Sequence, residues 1–261
     1  NPAAIDELRR RKHRSEKSFA LMVFDASIAE QYCRISPSEH TLLESKEKPI
    51  VILERKPDCA LPAQIAPGLH TLGVMLPYTP LHYLLLEPEE DYPQAWVMTS
   101  GNLSEEPIAY ANNTALSELS EIADGFLLND RDIQMRVDDS VLAEQRGAGY
   151  FFRRSRGFAP NPIRSPQPLR EVLAVGAELK NTFCLTKGSY AFLSHHIGDL
   201  ENAETLHAFE SGIPHYEHIF KVDPIAIARD LHPDYLSSRY AQDRAQNQNL
   251  PLIEVQHHHA H

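Results

Sequence analysis

Apolar positions along this chain come in short runs broken by prolines, glycines and charged turns, and their spacing predicts alternating helices and strands. Asn1-Pro2 reads as an N-cap followed by proline at the first helical position, with Ile5 and Leu8 on one stripe. Residues 19–24 (FALMVF), 48–54 and 72–76 read as strands. Helices are expected around 27–33, from Ser36 onward and from Thr79 through Leu86. Residues 95–98 form a further short apolar run that stops at Thr99-Ser100-Gly101-Asn102. Asn113 or Thr114 then caps a helix carrying Leu116, Leu119 and Ile122 on one face, and residues 126–128 return as a strand.

Prolines 160, 162, 166 and 168 crowd one stretch and favour extended, unpaired backbone. A domain boundary is therefore expected there: one unit over 1–160, a linker over 161–170, and a second unit over 171–261. In that unit 172–175 reads as a strand. Residues 182–186 and 190–194 read as a hairpin about Lys187-Gly188-Ser189. A helical stretch from Ala203 carries Leu206, Phe209 and Ile219. Strands over 224–228 and 252–255 flank a helix over 235–241, before the closing Gln256-His257-His258-His259-Ala260-His261.

Composition narrows the class. An apolar content of 42% suffices for real cores. No run approaches the ~18 apolar residues of a membrane span, and the start has no signal-peptide core. Cys33, Cys59 and Cys184 are odd in number and widely spaced, which fits a reducing cytoplasm and three small buried hydrophobes. The net charge of −11 argues against a general nucleic-acid binder. Positive charge is nonetheless concentrated over residues 9–17, RRRKHRSEK, a patch suited to a small anionic ligand or to a solvated helix end.

Candidate chemistry gathers at four places. Small hydroxyls and an amide after a strand, as at Thr99, Ser100 and Asn102, can bind phosphate or carboxylate oxygens, although the four letters alone favour a capped turn. Lys12, Arg14 and Lys17 could face triphosphate oxygens, arginine bidentately and lysine as a point charge. Asp138-Asp139 by itself reads as a pair of solvated turn acids. His257 and His261 are four apart, the helical spacing for two imidazoles on one metal ion; a solvated helix start is the bland alternative.

Longer strings change the balance. TSGNLSEEPI and KHRSEKSFALMV resemble the nucleotide-site motifs of YrdC-like domains, in the version found in the hydrogenase maturation carbamoyltransferases of the HypF family. Ser18 stands where that family usually has proline, which loosens the turn. LGVMLPYTPLHYLLL, the RVDDSV string and RRSRG extend the likeness and add Arg136, Ser140 and Arg154 as ligand-contact candidates. VGAELKNTFCL, SHHIGDLEN, DLHPDYLSSRYA and VQHHHAH resemble the start of the family's TsaD-like domain, with Lys180 and Asn181 as nucleotide candidates and His257 and His261 as metal ligands.

The resemblance implies an α/β (α+β) fold: a YrdC-like open twisted sheet with helices, then an incomplete ASKHA (actin-like ATPase) lobe. It also implies that the chain is an internal fragment. The acylphosphatase domain, zinc-finger pairs, first YrdC-like strand and second ASKHA lobe are not in it, so open sheet edges are expected. The implied reaction uses ATP and carbamoyl phosphate to form carbamoyl adenylate, and passes the carbamoyl group to the C-terminal cysteine of a HypE-type acceptor protein. Zinc or iron would sit beside the nucleotide in the parent protein, with a frayed, weak or empty site here. Catalytic residues are not readable. The rivals are a threonylcarbamoyl-adenylate synthase of tRNA modification, a nucleic-acid-binding module using residues 9–17, and a zinc peptidase on the terminal histidines. The last lacks the H-E-x-x-H glutamate.

Overall fold

Local chemistry starts most of the helices. The Asn1 side chain accepts the Ala3 N–H at 3.0 Å at the head of α1 (Pro2–Arg11), and Asp25 caps α2 (Ala26–Tyr32). Ser36 and Glu39 form a reciprocal capping box at α3 (Pro37–Glu44), and Thr79 caps α4 (Pro80–Leu86). In this computed structural model, which describes residues 1–90, 92–103 and 108–261, the elements fall into two compact units, Asn1–Gly157 and Phe158–His261.

The first unit is built on a sheet. Its strands are β1 (Ala20–Val23), β2 (Cys33–Arg34), β3 (Ile50–Arg55), β4 (Thr71–Met75), β5 (Ala95–Met98), β6 (Val141–Gln145) and β7 (Ala148–Arg153). Their order among the described residues is β5-β1-β4-β3-β6-β7, with β2 on β3. Leu21, Met22, Val51, Leu53, Val74, Met75 and Leu142 are buried within it. β5 runs antiparallel to β1, with Ala20 opposite Met98. That register puts the loop before β1 and the loop after β5 at the same end of the sheet, which is how the basic run meets Thr99–Asn102.

Several expectations for this unit need correction. Residues 126–128 form no strand. Phe126, Leu127 and Leu128 are exposed, and three residues without a partner ladder cannot hold an extended pairing. The sheet closes instead through the β6–β7 hairpin. Its two-residue turn, Arg146-Gly147, has φ of 54° and 82°, the left-handed pair that matches strand twist. The next helix, α5 (Asn112–Glu118), starts from Ala111 without a side-chain cap, so neither Asn113 nor Thr114 is the N-cap. Of the cysteines only Cys33 is buried; Cys59 and Cys184 are partly exposed.

The second unit carries β8 (Ile163–Leu169), β9 (Val172–Ala174), β10 (Cys184–Leu193), β11 (Ala226–Asp230) and β12 (Leu252–Val255), in the order β12-β11-β9-β10-β8. The proline-rich stretch is therefore no unpaired linker. β8 lies at the sheet edge, where a strand tolerates prolines that cannot donate to a ladder. Nor do residues 182–194 fold as a hairpin. β10 continues through Gly188, whose φ of 58° is taken up as a shift of register, because its first half pairs with β9 and its second with β8. Helix α6 (Ala203–Phe220) packs Phe209 and Tyr216 on Phe183, at ring centroid distances of 6.1 and 5.0 Å. Helix α7 (Leu236–Gln248) and the single turn α8 (His257–Ala260) complete the unit.

Candidate functional site

The basic run begins where α1 ends. Lys12 is the C-cap and His13 takes a left-handed φ of 51°. The His13 N–H donates to Arg10 O at 3.3 Å and the Arg14 N–H to Arg9 O at 3.0 Å, the paired bonds of a Schellman exit. The chain therefore doubles back over its own helix. Arg9 reaches up to bind it, donating to the carbonyls of Arg14 (2.9 Å), Ser15 (3.2 Å) and Lys17 (3.1 Å). Arg14 donates to Ser18 O at 2.6 Å, and both guanidiniums lie over the Phe19 ring, at 4.6 and 5.1 Å. Arginine clamps thus supply the order that a proline at position 18 would have supplied.

Lys12 is not presented to solvent. It is 2% exposed, and its ammonium donates to Ser100 O at 2.7 Å and Asn102 O at 2.5 Å. Burial, helped by repulsion from Arg14, pushes its pKa down to about 8. A cation expected to face phosphate oxygens instead holds the Ser100–Asn102 loop from beneath. Above it the Ser100 hydroxyl donates to Asn102 Oδ1 at 2.6 Å, which turns the amide so that Nδ2 is its donor side. Thr99 and Lys17 are exposed beside this loop and the basic turn, respectively. Residues 104–107, which include part of the same motif, lie outside the described residues.

Arg14 is partly buried, and burial lowers its pKa, with repulsion from Arg9 and Arg153 acting the same way. Arg153 ends β7. In a flat sheet β1 and β7, four strand spacings apart, would stand ~19 Å from each other, yet the Arg153 charge acts on Arg14. The sequence singles out Arg154 from the RRSRG run without deciding between its arginines; Arg153 is the one whose charge acts on Arg14. The signal available was strand alternation, which puts neighbouring residues on opposite faces. Arg154 and Arg136 are both partly buried.

The remainder of that run builds the scaffold. Arg156 pairs with Asp139 at 2.5 Å, donates to Glu47 O (3.0 Å) and Lys48 O (2.7 Å), and stacks 3.4 Å from the Tyr78 ring centroid. Ser140, expected to touch ligand, is fully buried. Its hydroxyl donates to Arg156 O at 2.9 Å and accepts the Ser155 N–H at 2.7 Å. Backbone groups take its proton and one of its two lone pairs, and the side chain is fully buried.

In the second unit Lys180 is exposed, with φ of 48°, and its N–H donates to Asp199 Oδ1 at 2.6 Å. Asn181 is buried and donates to Val175 O (3.0 Å) and Ala177 O (2.5 Å), closing the loop around Gly176. A Cβ on Gly176 would stand 2.4 Å from Thr182 O. Asn181 therefore shapes that loop, and its Oδ1 is buried without a hydrogen-bond partner.

The terminal histidines form a turn where fraying was expected. The His261 N–H donates to His257 O at 3.0 Å, which places the two on one face. The turn holds because Asp230 Oδ2 accepts both the His257 N–H at 3.0 Å and the His257 Nδ1 side at 2.8 Å. Burial acts against ionisation of Asp230, but hydrogen bonds from His232 and His257 hold its pKa below the usual carboxylate value. Among the described residues no group of three or more His, Cys, Asp or Glu side chains is arranged to hold a metal ion. The His257–His261 pair, with one imidazole anchored by a carboxylate, fits two positions of such a site.

Comparison with known proteins divides the chain at nearly the same place as its two compact units. Residues 1–155 match the family described as Telomere recombination (Sua5/YciO/YrdC), and residues 167–261 match the HypF Kae1-like domain. Carbamoyltransferase HypF2 of Cupriavidus necator is 43% identical over 279 residues, taking in 100% of this chain and 34% of that protein. Carbamoyltransferase HypF of Synechocystis is 44% identical over 259 residues, with 99% and 33% covered. The crystal structure of full-length HypF in the phosphate- and nucleotide-bound form superposes with a TM-score of 0.91 at 50% identity, over 100% of this chain and 40% of that one. Sua5 of P. abyssi complexed with L-threonine, at 13% identity and a TM-score of 0.53 over 98% of this chain and 87% of its own, shares the fold alone. The chain spans about one third of the length of the curated relatives it matches. By its first 155 residues the chain belongs to the Sua5/YciO/YrdC family, and along its whole length it is a homologue of the HypF carbamoyltransferases.

Proposed function

We propose that this chain contributes the adenylate-forming and part of the carbamoyl-transfer machinery of a HypF-type carbamoyltransferase of [NiFe]-hydrogenase maturation. The observation that carries the reading is its collinear likeness, at 43% identity, to carbamoyltransferase HypF2 over all of this chain. A relative solved with phosphate and nucleotide bound supports a nucleotide site in particular.

In the first unit, a carbamate oxygen attacks the α-phosphorus of ATP and pyrophosphate leaves, giving carbamoyl adenylate. The oxygens involved carry negative charge throughout, so the site must supply fixed positive charge and hydrogen-bond donors. Arg14 and Arg153 provide the charge. Ser100 and Asn102 provide a loop whose geometry Lys12 sets from below. In the second unit, a thiolate of a HypE-type acceptor attacks the carbamoyl carbon and AMP leaves. His257 and His261 would hold zinc or iron there, which when bound supplies positive charge beside the nucleotide. Asn181 orders the loop around Gly176 that would meet that nucleotide.

The test is ATP–pyrophosphate exchange in the full-length protein that contains this segment. Exchange should depend on carbamoyl phosphate, ignore L-threonine, and fall in Asn102→Ala. Exchange driven by L-threonine instead would replace this reading with threonylcarbamoyl-adenylate synthesis.

A further inference from the structure

Asp230 is the last residue of β11, and the parallel register of β11 with β12 sets it beside Val255, two residues before His257. The sheet itself thus delivers a carboxylate to the foot of the histidine turn. Asp230 is 6% exposed, and its polar contacts are specific. Oδ1 accepts the His232 N–H at 2.8 Å; Oδ2 accepts the His257 N–H at 3.0 Å and faces His257 Nδ1 at 2.8 Å. An ionised carboxylate can only accept, so the proton between Asp230 and His257 belongs to Nδ1. With Nδ1 protonated, the neutral imidazole carries its lone pair on Nε2. The ring is also held from the sides: His258 lies 4.0 Å away by ring centroids and Tyr235 6.3 Å.

We propose that Asp230 is a positioning residue that holds His257 in the Nδ1–H tautomer and so presents Nε2 to a divalent metal ion. The proposal rests on the reading of His257 and His261 as a ligand pair. It assigns to a residue 27 positions upstream of His257 a role that the helical spacing of the histidines does not reveal. A carboxylate acting only as a cap for the turn would leave both the tautomer and the metal affinity unchanged when replaced by a residue of the same shape.

The experiment uses the full-length protein that contains this segment, with Zn²⁺ as the probe, in wild type, Asp230→Asn, Asp230→Ala and His257→Ala. Long-range ¹H–¹⁵N spectra of the metal-free imidazoles at neutral pH should show His257 as the Nδ1–H tautomer in wild type. In Asp230→Ala it should shift towards Nε2–H, while the amide signals of β11 and α7 persist. Calorimetry should show Zn²⁺ binding weakened about 10- to 100-fold in Asp230→Ala. The isosteric Asp230→Asn should also weaken it, and His257→Ala should abolish it. Zn²⁺ affinity that requires His257 but is the same in both Asp230 variants as in wild type would overturn the positioning role and leave the ligand pair standing. A wild-type full-length protein that binds no Zn²⁺, or binds it unchanged in His257→Ala, would overturn the ligand pair and this proposal with it.

Discussion

The ammonium of Lys12 donates to the backbone carbonyl of Ser100 at 2.7 Å, across 88 positions of sequence. One buried cation thereby joins the exit of α1 to the loop after β5. Lys12→Met keeps the apolar stem and removes both donors, leaving the Ser100 and Asn102 carbonyls short of a partner. Unfolding free energy at neutral pH should fall by about 1–3 kcal/mol, measured by urea denaturation.

The same residue gives a pH signature. The Lys12 pKa is depressed from an ordinary 10.5 to about 8 in the fold, first by burial and then by Arg14. Between those values the unfolded chain binds the additional proton, so this group's contribution to stability rises with pH from about 8 to 10.5 and is flat on either side. A neutral amine still has two N–H groups for the two carbonyls. The difference in unfolding free energy between wild type and Lys12→Met, followed across that window, isolates the effect. A difference independent of pH would refute the depressed value.

Asn102 offers a substitution that reverses chemistry at nearly constant shape. Asn102→Asp exchanges the amide donor for a second carboxylate oxygen and brings negative charge to an anion site. Nucleotide affinity should drop ~10-fold or more, about 1.4 kcal/mol, with little change in melting temperature. The Ser100 hydroxyl can still donate to position 102. Calorimetry with ATP is the measurement, and an unchanged Kd would remove Asn102 from the site.

Gly157 tests the scaffold made by the arginine run. Its φ is 86°, and a Cβ there would stand 2.7 Å from Glu47 O. Gly157→Ala combines a strained backbone with a clash against main chain that cannot swing aside. A loss of roughly 1–3 kcal/mol is expected, read as a fall in melting temperature.

Cys33 and Cys59 should differ in reactivity. Burial pushes the Cys33 thiol up to about 12, so almost no thiolate is available near neutral pH. Cys59 and Cys184 are partly exposed. A thiol-reactive probe at pH 8 should label these two in the folded chain, and Cys33 only after unfolding. Early labelling at Cys33, located by peptide mapping, would contradict its burial.

Features that depend on neighbours in sequence were legible in advance. The capping box at Ser36–Glu39, the strand over 95–98 and the helical spacing of His257 and His261 need only local periodicity and capping chemistry. The family strings named the right regions for the same reason, being contiguous. Fates that depend on distant partners were not legible. Ser140 and Lys12 carry the right functional groups for a ligand, yet backbone groups 16 and 88 positions away occupy them. The proline stretch over 163–169 pairs because β10 has a free edge to offer, and Gly188 makes a bulge because each half of β10 has its own partner. A side chain's type and spacing fix what it can bind. Closure of the chain decides whether water, a ligand or a buried carbonyl is there to be bound, since an unmet polar group inside the fold costs more than any local preference can return.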